Sequence, residues 1–233
     1  MGKVKLDVRV YPVAEPKGGT VAFANVGIAD SVAISGVRVV KGPKGIFVSM
    51  PQSQGKDGSY HDYASVSNDA VRKEMDKAIL AELKSPTRDT GGQIAGRTVS
   101  VEVDGEPSGK IDAKAFPLKE PKGGTLAFAT VEVAGLATIN SVRVVDSGKG
   151  AFVAMPQSKG KDGGYHDIAF PINGELRKSI TESVLDAYNG KTSERKQGIS
   201  GRLAEGKEAS AAHNAAHKAD REKAAKPSPG LGE

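Results

Sequence analysis

The chain has no cysteine and no tryptophan, and only 5% of its 233 residues are aromatic. The first absence excludes disulfides, thiolate zinc sites and a cysteine nucleophile, and it fits a reducing compartment. No window approaches the roughly 18 consecutive apolar residues of a membrane span. The opening MGKVKLDVRV alternates charged and apolar side chains and has no apolar run of the secretory kind. The expectation is a cytoplasmic chain without a membrane partner. Charge of one sign is also scarce. Lys and Arg number 33 against 28 Asp and Glu, a net +5 that only weakly favours polyanionic partners. Basic residues outnumber acidic ones by 12 to 9 over residues 1–85 and by 9 to 6 over 190–233, whereas 99–189 has 10 basic against 12 acidic. Charge alone therefore makes a poor case for nucleic acid.

What the sequence does contain, it contains twice. EPKGGT at 15–20 recurs at 120–125, VRVV at 37–40 recurs at 142–145, and MPQS at 50–53 recurs at 155–158. KDG and YHD follow at the same offset of 105 residues, and the alignment from Glu15 to Lys84 needs no gap. About half of the aligned positions are identical, so the chain is a tandem duplication.

Each copy reads as strands followed by one helix. VKLDVRV places Val4, Leu6, Val8 and Val10 on one strand face and charged residues on the other. EPKGGT punctuates it. TVAFANVGIA, SGVRVVKG and GIFVSMP then read as three further strands, and YHDYASV as a short fifth returning after an Asp57-Gly58 turn. Asn68 is suited to cap a helix whose stripe is Val71, Met75, Ile79 and Leu83. Asn173 precedes the equivalent stripe Leu176, Ile180, Val184 and Tyr188. The fold class is α+β, with two tandem domains that are each a 4–5-stranded antiparallel sheet with one C-terminal helix. One helix covers only part of a sheet face, so the second copy is the obvious partner for the rest, in an internal pseudo-dimer.

The expected domains are 1–85 and 99–189, joined by a flexible linker at 86–98 that is rich in turn formers. VSVEVDG at 99–105 alternates and is grouped with the second copy. Residues 190–233 are Lys, Glu, Ala and Gly with few large apolar side chains, and are expected to be disordered or a frayed helix.

The repeated stretch from MPQS to YHD is the candidate site. His61-Asp62 and His166-Asp167 could meet around a metal, but adjacent strand residues point to opposite faces and closely spaced ligand pairs are missing. The bland alternative has both aspartates bracing the turn backbone. A phosphate-binding loop is excluded, because Met50 and Met155 stand where its first glycine belongs and Asp57 and Asp162 follow the lysine. No enzyme and no cofactor is expected. A hairpin tip carrying lysine, tyrosine and histidine suits nucleic acid through charge and stacking, although 5% aromatics look too few for a stacking platform. From the residues alone, a binding surface and a purely structural hairpin both remain open.

VRVVDSGKGAFVAMPQSKGKDGGYHDIAFPINGELRKSITESVLDAY, residues 142–188, resembles the core of the SpoVG family, stage V sporulation protein G. That family's pattern runs from an IRVID-type strand through FVAMP, a basic loop and a DGE-aromatic segment to IAHPI and a helix. The first copy keeps VRVV, FVSMP and KDGSYHD but has SVSN where the second has FPIN. The resemblance implies a homodimeric, DNA- and RNA-binding regulator of septation, sporulation and gene expression, here with both halves in one chain. Further homo-oligomerisation stays open.

On the matching positions, the resemblance implies phosphate contacts from Lys56, Lys159 and Lys161, with Tyr60 and Tyr165 flanking. Ser158, His61 and His166 stand where the family places basic residues, so binding would be weak, salt-sensitive and stronger in acid. The competing expectation is a protein-interaction module that keeps the fold but has lost the basic loop.

Overall fold

The structure is a computed structural model that describes residues 2–55, 57–88, 91–103, 109–160 and 162–192. The chain divides into two units, Met1–Asn189 and Gly190–Glu233. The architecture below belongs to the first; the low-complexity segment from residue 193 onward lies outside the described residues.

In the first copy, Gly2–Lys17 (β1), Thr20–Ile28 (β2), Val32–Gly42 (β3) and Gly45–Ser49 (β4) form an antiparallel meander. The alternation in β1 is realised in full: Val4, Leu6, Val8 and Val10 are at most 1% exposed, while Lys3, Lys5 and Arg9 face solvent. Gln52–Gln54 (β5) and Tyr60–Asp62 (β6) pair as a small hairpin, Ala64–Val66 (β7) follows, and Asp69–Lys84 is helix α1. Arg97–Val103 (β8) comes next. The second copy repeats the plan as Ile111–Lys122 (β9), Thr125–Val133 (β10), Ala137–Asp146 (β11), Ala151–Ala154 (β12), Gln157–Lys159 (β13), Tyr165–Asp167 (β14) and Ala169–Pro171 (β15). The second helix, α2, begins at residue 174 and runs to the end of this unit. None of the described helices is long and apolar enough to cross a membrane.

Both helices start as the sequence dictates. The Asn68 side chain accepts hydrogen bonds from the backbone N–H of Ala70 and Val71, and that of Asn173 accepts from Leu176. Val71, Met75 and Ile79 in α1, and Ile180 and Val184 in α2, are fully buried. They join the apolar faces of both sheets in one continuous core. Each such side chain contributes about 1.5–3 kcal/mol through burial, so the two copies are stabilised largely by the same cluster.

Two features differ from the sequence reading. YHDYASV does not return to its own sheet as one fifth strand. It divides at Tyr63 into β6, which stays in the hairpin, and β7, which pairs antiparallel with β11 of the second copy. In return, β15 of the second copy pairs with β3 of the first. The Ser35 N–H donates to the Ile168 carbonyl at 2.7 Å, and its counterpart 105 residues on, the Asn140 N–H, donates to the Tyr63 carbonyl at 2.8 Å. The Ile172 N–H to Ser31 carbonyl bond is matched by Ser67 to Leu136, both 2.8 Å. Reciprocal bonds of this kind are the mark of an isologous, two-fold contact. The reason lies in β3 and β11, each longer than the strand following it. One end of β3 pairs with β4, and the other end is an open edge that the other copy fills.

The second difference is β8. Residues 97–103 hydrogen-bond along β1 from Val8↔Arg97 to Gly2↔Val103, so VSVEV extends the first copy's sheet, not the second's. Gly96 makes the approach possible: its φ is +88°, and a Cβ there would lie 2.7 Å from the Val8 carbonyl oxygen.

Candidate functional site

Each copy carries its conserved-in-repeat stretch as a short hairpin standing off the sheet. In the first, Gln52, Ser53 and Gln54 face Asp62, His61 and Tyr60; in the second, Gln157, Ser158 and Lys159 face Asp167, His166 and Tyr165. Three-residue strands gain little from their own ladder, so side chains hold the hairpins at both ends. At the base, Gln52 Nε2 donates to Asp62 Oδ1 and Gln157 Nε2 to Asp167 Oδ1, both at 2.7 Å. Asp62 and Asp167 therefore brace the opposite strand rather than the turn.

At the tip the turn is braced by Asp57 and Asp162. The Gly55 N–H reaches the Ser59 carbonyl, and the Gly160 N–H that of Gly164, each at 2.7 Å. Asp57 Oδ1 accepts from the Ser59 hydroxyl at 2.6 Å and from the Ser59 N–H at 3.1 Å. That hydroxyl also meets His61 Nε2 at 2.8 Å. In the second copy Gly164 replaces Ser59, and His166 Nε2 closes directly on the Asp162 carboxylate at 2.9 Å. The bond from Ser59 holds the Asp57 carboxyl below its ordinary range, and the contact with His166 does the same for Asp162.

Tyr60 and Tyr165 project from the hairpins at 63% and 68% exposure, and His61, Ser158, Lys159 and His166 are exposed as well. Lys56 and Lys161 lie outside the described residues. Each histidine's ring points back to the tip, and among the described residues no three His, Asp or Glu groups converge as metal ligands.

The hairpins belong to clefts that join the two copies. Tyr60, His61 and Gln52 of the first copy line an open cleft with Phe116, Phe128, Thr130 and Asn140 of the second. Ser158 and His166 of the second copy line the counterpart with Phe23, Ser35 and Arg38 of the first. Asn140 ties the first cleft together, its Nδ2 donating to the Asp62 carbonyl at 3.1 Å.

The aromatics on the cleft floors are what reasoning from composition missed. Eight of the eleven Phe and Tyr side chains are exposed, and among the described residues no fully buried side chain is aromatic. The signal was present in the alternation. With Val8 and Val10 inward, Tyr11 must point out, and its cross-strand partner Phe23 with it.

The family model described as SpoVG matches the chain twice, over residues 4–85 and 111–190. A relative from Symbiobacterium thermophilum named for septation as SpoVG is 38% identical over 71 residues, covering 30% of this chain and 51% of that protein. The similarly named SpoVG 1 of Listeria monocytogenes is 42% identical over 69 residues, 30% of this chain and 68% of its own length. One from Exiguobacterium sibiricum is 36% identical over 78 residues, 31% of this chain and 76% of its own. The chain thus spans about half the length of the first relative and somewhat more than two thirds of the others.

Proposed function

Because the chain belongs to the SpoVG family, we propose that it is a non-catalytic regulator that binds DNA or RNA and acts in septation, sporulation and gene expression. The relatives are named for septation, not for an enzymatic reaction. The observation carrying the reading is the pair of exposed hairpins, each with a solvent-facing tyrosine and histidine, repeated about a pseudo-two-fold axis. Two like surfaces on one chain engage a polymer together, the second contact being intramolecular once the first is made.

Lys159, with Lys56 and Lys161 beside the tips in sequence, supplies phosphate contacts, and Tyr60 and Tyr165 flank them. Ser158, His61 and His166 fill out the same surface. With so few fixed charges, affinity depends on low salt. Anisotropy titration of a labelled oligonucleotide with the full chain, at about 50 and about 200 mM salt, tests this. Binding at low salt that weakens on Lys159→Ala/Lys161→Ala substitution supports the proposal. Absence of binding to both DNA and RNA at low salt removes it and leaves a protein-interaction module.

A further inference from the structure

Resting on that reading, we propose that the strand is bound unpaired, with its bases stacked on an aromatic row on the outer face of each sheet. In the second copy the row is Phe116–Phe128–Arg143, consecutive cross-strand partners across β9, β10 and β11. In the first it is Tyr11–Phe23–Arg38 across β1, β2 and β3. The four rings are between 39% and 58% exposed.

Four observations point to this occupant. First, the distribution is inverted: a chain poor in aromatics spends none in its buried core and sets them out in rows. An exposed apolar row repeated at equivalent positions in both copies marks a contact surface. Second, each row ends in an arginine, and among the described residues neither Arg38 nor Arg143 is paired with a carboxylate. Third, the position next to each row on the first strand is again basic: Arg9 beside Tyr11 and Lys114 beside Phe116 both face out. Aromatic rings rimmed by cations suit a ligand that alternates flat bases with phosphates.

Fourth, each row shares a cleft with the other copy's hairpin: Tyr60 and His61 line one with Phe116 and Phe128, and Ser158 and His166 line the other with Phe23 and Arg38. A base entering the first of these clefts meets rings from both copies. Duplex bases are stacked on each other and offer only their edges, so the rows select a single strand. A second copy of this chain would instead bring the same cations against its own, which disfavours self-association through this face.

The test uses the full chain and fluorescein-labelled oligonucleotides, as a mixed-sequence single strand and as the corresponding duplex. Phe116→Ala/Phe128→Ala is expected to weaken single-strand binding about tenfold or more while leaving duplex binding nearly unchanged. Phe116→Tyr/Phe128→Tyr, which keeps the rings, restores single-strand affinity and guards against a folding artefact. If the wild type binds and the alanine variant binds the single strand equally well, stacking is wrong while the hairpin reading stands. No binding by the wild type to either oligonucleotide overturns both. If the alanine variant loses self-association in light scattering and keeps its nucleic-acid affinity, the rows are a contact between chains and the proposal fails.

Discussion

Arg97 Nε lies 3.1 Å from the carboxylate of Glu82, across the link that carries the chain from α1 into β8. Glu82 is completely buried near the C-terminal end of α1. The Thr87 N–H and hydroxyl also donate to it, the latter at 2.8 Å. Burial pushes this carboxyl upward, but the donors from Thr87 and Arg97 outweigh it and hold the group below the ordinary Glu range. The clasp belongs to the first copy alone, since Ala187 stands at the equivalent place in the second.

Glu82→Ala strands the Thr87 N–H and removes three charge-assisted bonds, so it is expected to destabilise the chain by about 2–3 kcal/mol. Urea unfolding measures the difference. A loss within a few tenths of a kcal/mol would show that the link does not depend on the clasp.

Ser141 occupies a left-handed backbone conformation at φ 58°, where the first copy has Gly36 at φ 73°. Both sit at the irregularity that divides β3 and β11 into an end pairing at home and an end pairing across. A non-glycine residue there carries strain. Ser141→Gly is expected to gain about 0.5–1 kcal/mol net of glycine's chain entropy, read as a rise in Tm of about 2 °C. An unchanged or lower Tm would place the strain elsewhere.

Asp162, at the tip of the second hairpin, has its carboxyl held below the ordinary Asp value of 3.8, chiefly by His166. A carboxyl depressed in the folded state contributes stability above its unfolded value and loses it as pH falls through the folded one. The hairpin tip should therefore hold its geometry down to about pH 4 and loosen only below it. NMR titration of the Asp162 carboxyl, with hydrogen exchange at the Gly164 amide, follows both events. A midpoint above 3.8 would mean that the His166 contact is not formed in solution.

Much of this was legible in the chain. The offset of 105 residues and the alternation of Val4 to Val10 announced the duplicated sheets. The stripe from Val71 to Ile79, with Asn68 before it, announced the helix. The destination of β7 was not legible, because Ala64 and Val66 alternate in the same way whichever sheet receives them. Only the open edge beyond Ser141, a tertiary fact, sends them across. The place of β8 is hidden for a similar reason: Val99, Val101 and Val103 suit either sheet's edge, and the Glu82–Arg97 clasp with Gly96 decides for the first. The aromatic rows are readable in the alternation, which sets their rings on the outer face, whereas their small number says nothing of the face they occupy.

Exchanged strands join the two copies, and that pairing sets each hairpin beside the other copy's sheet. Val66 and Ala137 face each other across it. Directly opposed strand residues bring their Cβ atoms to about 4.5–5.5 Å, near enough for a disulfide after slight adjustment. With no native cysteine to compete, Val66→Cys/Ala137→Cys should oxidise to an intramolecular disulfide in the monomeric chain. Mass spectrometry of non-reduced peptides would find residues 66 and 137 linked within one chain. If the thiols stay free, or bond only between chains, the two copies are not paired in this way.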